Sequence, residues 1–136
     1  MAFGVLYAAF ATAVYFVQLT TVAHGTASSE LLKSLSYREL GSLMFNLDLL
    51  AYGLLAMSTF FIGLSMTPNA KPDQVLRLLL LVHGAFAPVT LLLPILNVFG
   101  TMTNAAGATT GVLVLFAWCL YFTPIGVLAI YHFRAS

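Results

Sequence analysis

Apolar residues fill this chain in four long runs separated by short polar stretches. The runs cover roughly 2–23, 41–66, 74–99 and 108–133. About 20 mostly apolar residues cross a bilayer as a helix, so each run predicts one span. Helices are expected because one chain with four such runs cannot close a barrel and must satisfy its backbone within each segment. The connections are short, which predicts up-down-up-down topology. The expected fold is therefore all-α: an integral membrane four-helix bundle forming a single transmembrane domain. In the first connection, 24–40, Ser28 or Ser29 can cap a short interfacial helix whose apolar side is Leu31, Leu32 and Leu35. The second, 67–73, holds Pro68, Asn69 and Pro72 and predicts a tight turn. The third, 100–107, is uncharged and rich in glycine and alanine.

Polar residues inside the runs fall on helical stripes. Tyr7, Ala11, Tyr15 and Gln18 share one face of the first span. Asp48, Tyr52, Thr59 and Gly63 share a face of the second, with Asn46 nearly opposite. His83, Ala87, Thr90, Pro94 and Asn97 share a face of the third. Lipid favours uniformly apolar surfaces, so the three stripes are expected to converge inward. Asp48 is the charged side chain set deep within a run. A carboxylate there costs several kcal/mol unless neutralised, paired or wetted, which makes Asp48 a site candidate. A rise of 1.5 Å per residue in spans of one thickness sets Asp48 and His83 about one helical turn apart in depth. Gln18 falls near the level of Asp48. A direct or water-bridged Asp48–His83 pair is expected.

Pro88 removes the usual helical donor for the carbonyl of Gly84, Pro94 for that of Thr90, and Pro124 for that of Leu120. The third span is therefore expected to kink beside its polar stripe. Gly107 and Gly111 form a GxxxG at the entry to the fourth span, a pattern that permits close helix packing.

Composition narrows the function classes. The chain has 136 residues, 61% hydrophobic and 7% charged, with a mean hydropathy of +1.01. Soluble domains carry roughly 25% charged residues, so this composition suits a bilayer. The net charge is +1 and no basic run is present, which argues against a nucleic-acid partner. No Lys or Arg precedes the first run, so it reads as a retained span and not as a signal peptide. Lys71, Arg77 and Arg134 share the side of the N-terminus, whereas Lys33 and Arg38 lie opposite. That excess predicts N-in, C-in.

Several chemistries lack their residues. His24, His83 and His132 fall at three different depths, which disfavours a bis-histidine haem. A catalytic zinc needs about three converging ligands, and Asp48 with His83 supplies two. No metal or cofactor is expected. Nucleophile-elbow, zincin, P-loop and dinucleotide fingerprints are missing. The single cysteine, Cys119, cannot form an internal disulfide and reads as a packing residue. Its neighbour Trp118 could wall a cavity.

The stretches YFVQLTTV (15–22) and FNLDLLAYGLLAMSTFFIGL (45–64), the pair His83-Gly84, and the segment 118–133 with Pro124 resemble a group of small bacterial multi-span membrane proteins of unassigned function. That resemblance implies a bacterial inner membrane and that Gln18, Asp48 and His83 recur together. A second resemblance, carried by Val82-His83 and Leu93-Pro94-Ile95-Leu96, is to the emopamil-binding, sterol-isomerase-like four-helix proteins. It implies a sterol-sized cavity with several acidic residues, of which the spans here carry Asp48 at depth.

The sequence thus points to an apolar or lipid-like ligand held between helices, with membrane lipids around the bundle. Asp48 and His83 would orient the ligand, and Gln18, Tyr15, Tyr52, Thr90 and Trp118 would line the site. Alternatives that the sequence leaves open are ion or proton-coupled transport by a homodimer, an isomerase-like enzyme using Asp48 or His83 for proton transfer, and a structural subunit of a membrane complex. A plain packing network of Asp48, Gln18 and His83 is open as well.

Overall fold

The computed structural model describes residues 2–135. It is built from helices, with no strand among the described residues. Helix α1 spans Ala2–Val17 and runs into a wider π turn, Gln18–Val22. Helix α2 is Ser29–Leu35 and α3 is Leu43–Ser65. The third run divides into α4, Lys71–His83, and α5, Phe86–Ile95. A short 3-10 turn, Val98–Thr101, leads to α6, Asn104–Ala135. Four segments, Ala2–Val22, Leu43–Ser65, Lys71–Ile95 and Ala105–Arg134, are long and apolar enough to cross a membrane.

Local chemistry explains the boundaries. Ser28 caps α2 by accepting from the Leu31 N–H, and Ser42 caps α3 by accepting from the Phe45 N–H at 3.1 Å. Thr103 Oγ1 accepts from the Ala106 N–H at the start of α6. Asn97 ends the third run in the left-handed region, φ 52°, where asparagine is among the few tolerated side chains. Helix α4 begins at Lys71, three residues before the position expected from hydropathy, because Pro72 fits a first helical turn whose N–H groups are unpaired anyway. The preceding connection is not a tight turn. Met66 and Ala70 are extended, so the chain runs on past the end of α3 before α4 starts.

The expected kink falls at Gly84–Ala85. Three-residue hydrogen bonds replace the helical pattern there, and the Gly84 carbonyl accepts from the Ala87 N–H at 3.1 Å. Pro88, lacking an N–H, sits in the first turn of α5. Gly84 is required on packing grounds too. A Cβ there would overlap the Phe60 ring of α3.

Helix α3 is the hub, packed against α1, α4 and α5. Small residues allow this: Ala51, Gly53, Ala56, Thr59 and Gly63 are its buried positions. Gly53 admits the Thr90 hydroxyl, and Gly63 admits Leu80 and Leu81. The predicted stripes do converge, through Tyr7–Tyr52, Tyr15–Tyr52 and Thr59–His83 contacts. Helix α6 differs from a fourth bundle helix, since its main neighbour is α4. It docks through Ile125, Tyr121, Phe122, Leu128 and Ala129 onto Leu76 and Leu80. The Tyr121 hydroxyl donates to the Leu79 carbonyl. Its N-terminal half leaves Val112, Leu113, Val114, Leu115 and Phe116 exposed, a surface suited to lipid.

Two expectations about α6 are corrected by this packing. Cys119 is exposed and does not pack, because α4 covers one side of α6 only. Within the chain the glycine pair does not join two helices. Gly107 seats the Leu40 side chain, and Gly111 meets no neighbour within 4 Å.

Candidate functional site

His83 closes α4 one residue before the kink and is 1% exposed. With Val14 it is one of the two largest fully buried side chains among the described residues. Its Nδ1 lies 2.6 Å from Thr59 Oγ1 on α3. The Thr59 hydroxyl donates its proton to the Ala56 carbonyl at 3.0 Å. Thr59 thus engages Nδ1 and leaves Nε2 as the other ring nitrogen, buried and without a partner.

Aromatic rings surround the imidazole. Its ring centroid lies 4.9 Å from that of Phe122, 5.1 Å from Trp118, 5.6 Å from Phe86 and 5.9 Å from Tyr121. Trp118 also stands 4.9 Å from Tyr52 and 5.2 Å from Phe86. The Trp118 indole N–H is likewise buried with no partner. More than nine in ten buried polar groups are hydrogen-bonded, so two unpaired nitrogens in one cluster call for a cause.

A cavity of about 240 Å³ lies beside the two rings. It is lined by His83, Phe86, Val114, Ala117, Trp118 and Tyr121. Its walls come from the α4–α5 junction and from α6. Packing on α4 brings Trp118 to His83, and the kink brings Phe86 to the same place. A second, larger hollow lies at the end of the bundle that carries both chain termini. It is about 420 Å³ and is lined by Phe3, Ser58, Phe61, Ile62, Ser65, Met66, Thr67, Asn69 and His132. Beside it, His132 Nδ1 and Asp73 Oδ1 lie 2.9 Å apart. This pair joins the last turn of α6 to the first turn of α4, where the helix dipole favours the Asp73 carboxylate.

The other residues expected at the site fall into separate places. His83, Trp118 and Tyr52 form one aromatic chain, extended by a 3.2 Å contact between the Tyr52 and Tyr15 hydroxyls. Tyr15 is 43% exposed, so it stands at the edge of that chain. Thr90 bonds its own helix, donating to the Phe86 or Ala87 carbonyl, and packs on Gly53. Gln18 is occupied by backbone: Nε2 donates to the Leu35 carbonyl at 2.7 Å, and Oε1 accepts from the Tyr37 N–H at 3.1 Å. It ties the π turn of the first run to the segment that follows α2.

The expected Asp48–His83 pair does not form. His83 is level with Thr59, eleven positions beyond Asp48 on α3, about 16 Å along the axis. The expectation placed every span between the same two planes. The extended Met66–Ala70 connection instead starts α4 beyond the end of α3 and so moves His83 toward that end. Asp48 lies near Tyr7 and Tyr52, with Oδ1 buried and unpartnered. Asn46 turns aside and donates to the Gly41 carbonyl at 3.2 Å.

Thr59, Phe86, Tyr121 and Phe122 complete the cluster and were not expected there. Phe86 follows His83 by three residues, and Tyr121 and Phe122 follow Trp118 by three and four. Helical spacing from His83 and Trp118 was the available signal. Among the described residues, no group of three His, Cys, Asp or Glu side chains is arranged to hold a metal ion. The chain matches no protein-family model, no curated protein and no solved structure.

Proposed function

We propose that this chain is a membrane protein that binds an apolar or lipid-like ligand in the cavity between the α4–α5 junction and α6. The observation that carries this reading is the pair of unpartnered buried nitrogens, His83 Nε2 and Trp118 Nε1, beside an aromatic-lined hollow. Mostly apolar walls with a few convergent polar groups are the usual form of a small-molecule site. An isomerase-like enzyme using Asp48 or His83 for proton transfer is the weaker alternative, because the two are three turns apart and do not share one site. The placement of Lys71, Arg77 and Arg134 against Lys33 and Arg38 supports an N-in, C-in orientation in a bacterial inner membrane.

Native mass spectrometry of the protein released from mild detergent tests this. The wild type should carry a stoichiometric small-molecule adduct. Ala117→Phe, which fills the cavity without touching either nitrogen, should be bare. Bare protein in both samples, with no saturable change in Trp118 fluorescence on adding apolar probes, would remove the proposal.

A further inference from the structure

We propose that the hollow of about 420 Å³ at the end of the bundle is a second site, one that takes the uncharged, hydroxyl-bearing head of a membrane amphiphile such as a monoacylglycerol. No residue lines both this hollow and the cavity at Trp118, so the two sites stand or fall separately. Its wall draws on the start of α1, the last two turns of α3, the connection after α3 and the end of α6. The 23 residues of α3 measure about 34 Å, close to the roughly 30 Å of a hydrocarbon core. Ser65 therefore stands near the headgroup boundary. Ser58, two turns earlier, lies about 10 Å deeper along the axis.

The chemistry of the wall selects the head. Ser58, Thr67 and Asn69 line the hollow, and their side chains bond no other group among the described residues. Ser65 donates to the Phe61 carbonyl at 2.8 Å, which leaves its oxygen lone pairs. His132 is engaged by Asp73 at 2.9 Å. No Lys, Arg, Asp or Glu lines the hollow. The wall thus offers hydrogen bonds without an unanswered charge. A phosphate or an ammonium would give up its water for neutral partners, which is costly. A hydroxyl both donates and accepts, as the serine and threonine hydroxyls and the asparagine amide do.

The apolar part of the wall calls for a chain on that head. The Phe3 and Phe61 rings stack at 5.6 Å, with 9° between their planes. Phe61 and Ile62 line the hollow and are also 48% and 49% exposed, so they carry its wall onto the outer face of α3. A chain leaving the hollow along them stays in hydrocarbon. Size agrees: a cavity of about 150 Å³ holds benzene, and nearly three times that volume holds a glycerol ester with its first methylenes.

The test uses the full chain in phosphatidylcholine nanodiscs, which add no competing polyol detergent. The probes are monolauroylglycerol, methyl laurate, lauryl phosphate and free glycerol. Backbone amide NMR signals of Ser65, Thr67 and Asn69 report on the hollow, and the Trp118 indole signal reports on the other cavity. Monolauroylglycerol is expected to shift the three amides saturably, with at least tenfold higher affinity than any other probe. In Thr67→Val/Asn69→Leu that affinity, read at Ser65, should fall about tenfold, the effect of two lost hydrogen bonds. Neither side chain holds the fold together, so the Trp118 signal should stay in place. Equal binding of methyl laurate would overturn the proposal by reducing the hollow to an apolar groove. Tighter binding of lauryl phosphate would overturn it in favour of an ionic head, and equal binding of glycerol in favour of a free polyol. No saturable shift with any probe, or full affinity in the double variant, would overturn it as well.

Discussion

Thr59 and His83 meet across the α3–α4 interface, with the hydroxyl oxygen 2.6 Å from Nδ1. The threonine engages Nδ1 and leaves Nε2 as the unpartnered ring nitrogen. Thr59→Val keeps the shape and removes the partner. It is expected to destabilise the protein by about 1–3 kcal/mol, the cost of a buried polar group left unpaired. Thr59→Ser should restore most of that. Thermal unfolding in detergent measures both, and equal midpoints for Val and wild type would contradict the assignment.

Gly84 is pressed against Phe60, and a methyl group there has no room. Gly84→Ala is expected to cost about 1–3 kcal/mol through overpacking. Trimming the opposing ring in Phe60→Leu should recover part of the loss in the double variant. Strictly additive losses in a double-mutant cycle would show that the two do not press on each other.

Gln18 clamps the segment after α2 by both ends of its amide. Gln18→Leu leaves the Tyr37 N–H and the Leu35 carbonyl without those partners. Hydrogen exchange at Tyr37 is then expected to quicken by about tenfold or more, as local opening becomes easier. Exchange unchanged from wild type would mean the clamp contributes nothing.

Asp48 carries a buried, unpartnered oxygen and is not among the residues that line the cavity. Asp48→Asn removes a charge that is costly near hydrocarbon. It should raise the unfolding midpoint while leaving probe binding at Trp118 unchanged. A lower midpoint together with lost binding would return Asp48 to the ligand site.

Hydropathy and proline positions made the spans and the kink legible. Ser28 and the Leu31–Leu35 spacing did the same for α2. The vertical register was not legible, because the non-helical connection Met66–Ala70 shifts α4 along α3 and leaves no hydropathy signal. The aromatic cluster was half visible. Trp118 and His83 stood out by type, but Phe86, Tyr121 and Phe122 look like ordinary lipid-facing residues until α6 is known to lean on α4. The Asp73–His132 pair was hidden for a similar reason, since each residue sits at a helix end where solvent is the default partner.

Leu40 lies outside every wall of the cavity, yet it holds the far end of α6 in place. Tyr121 secures that helix to α4 at mid-length. Gly107 then rests on the Leu40 side chain, where α4 has ended and α5 has turned away. Along the helix these two supports flank Val114, Ala117 and Trp118, α6 residues that line the cavity. Leu40→Ala is expected to let α6 close further or swing free, changing how fast a probe enters and leaves with every lining atom intact. Stopped-flow quenching of Trp118 would show this as altered exchange rates, and rates equal to wild type would mean that the support lies elsewhere.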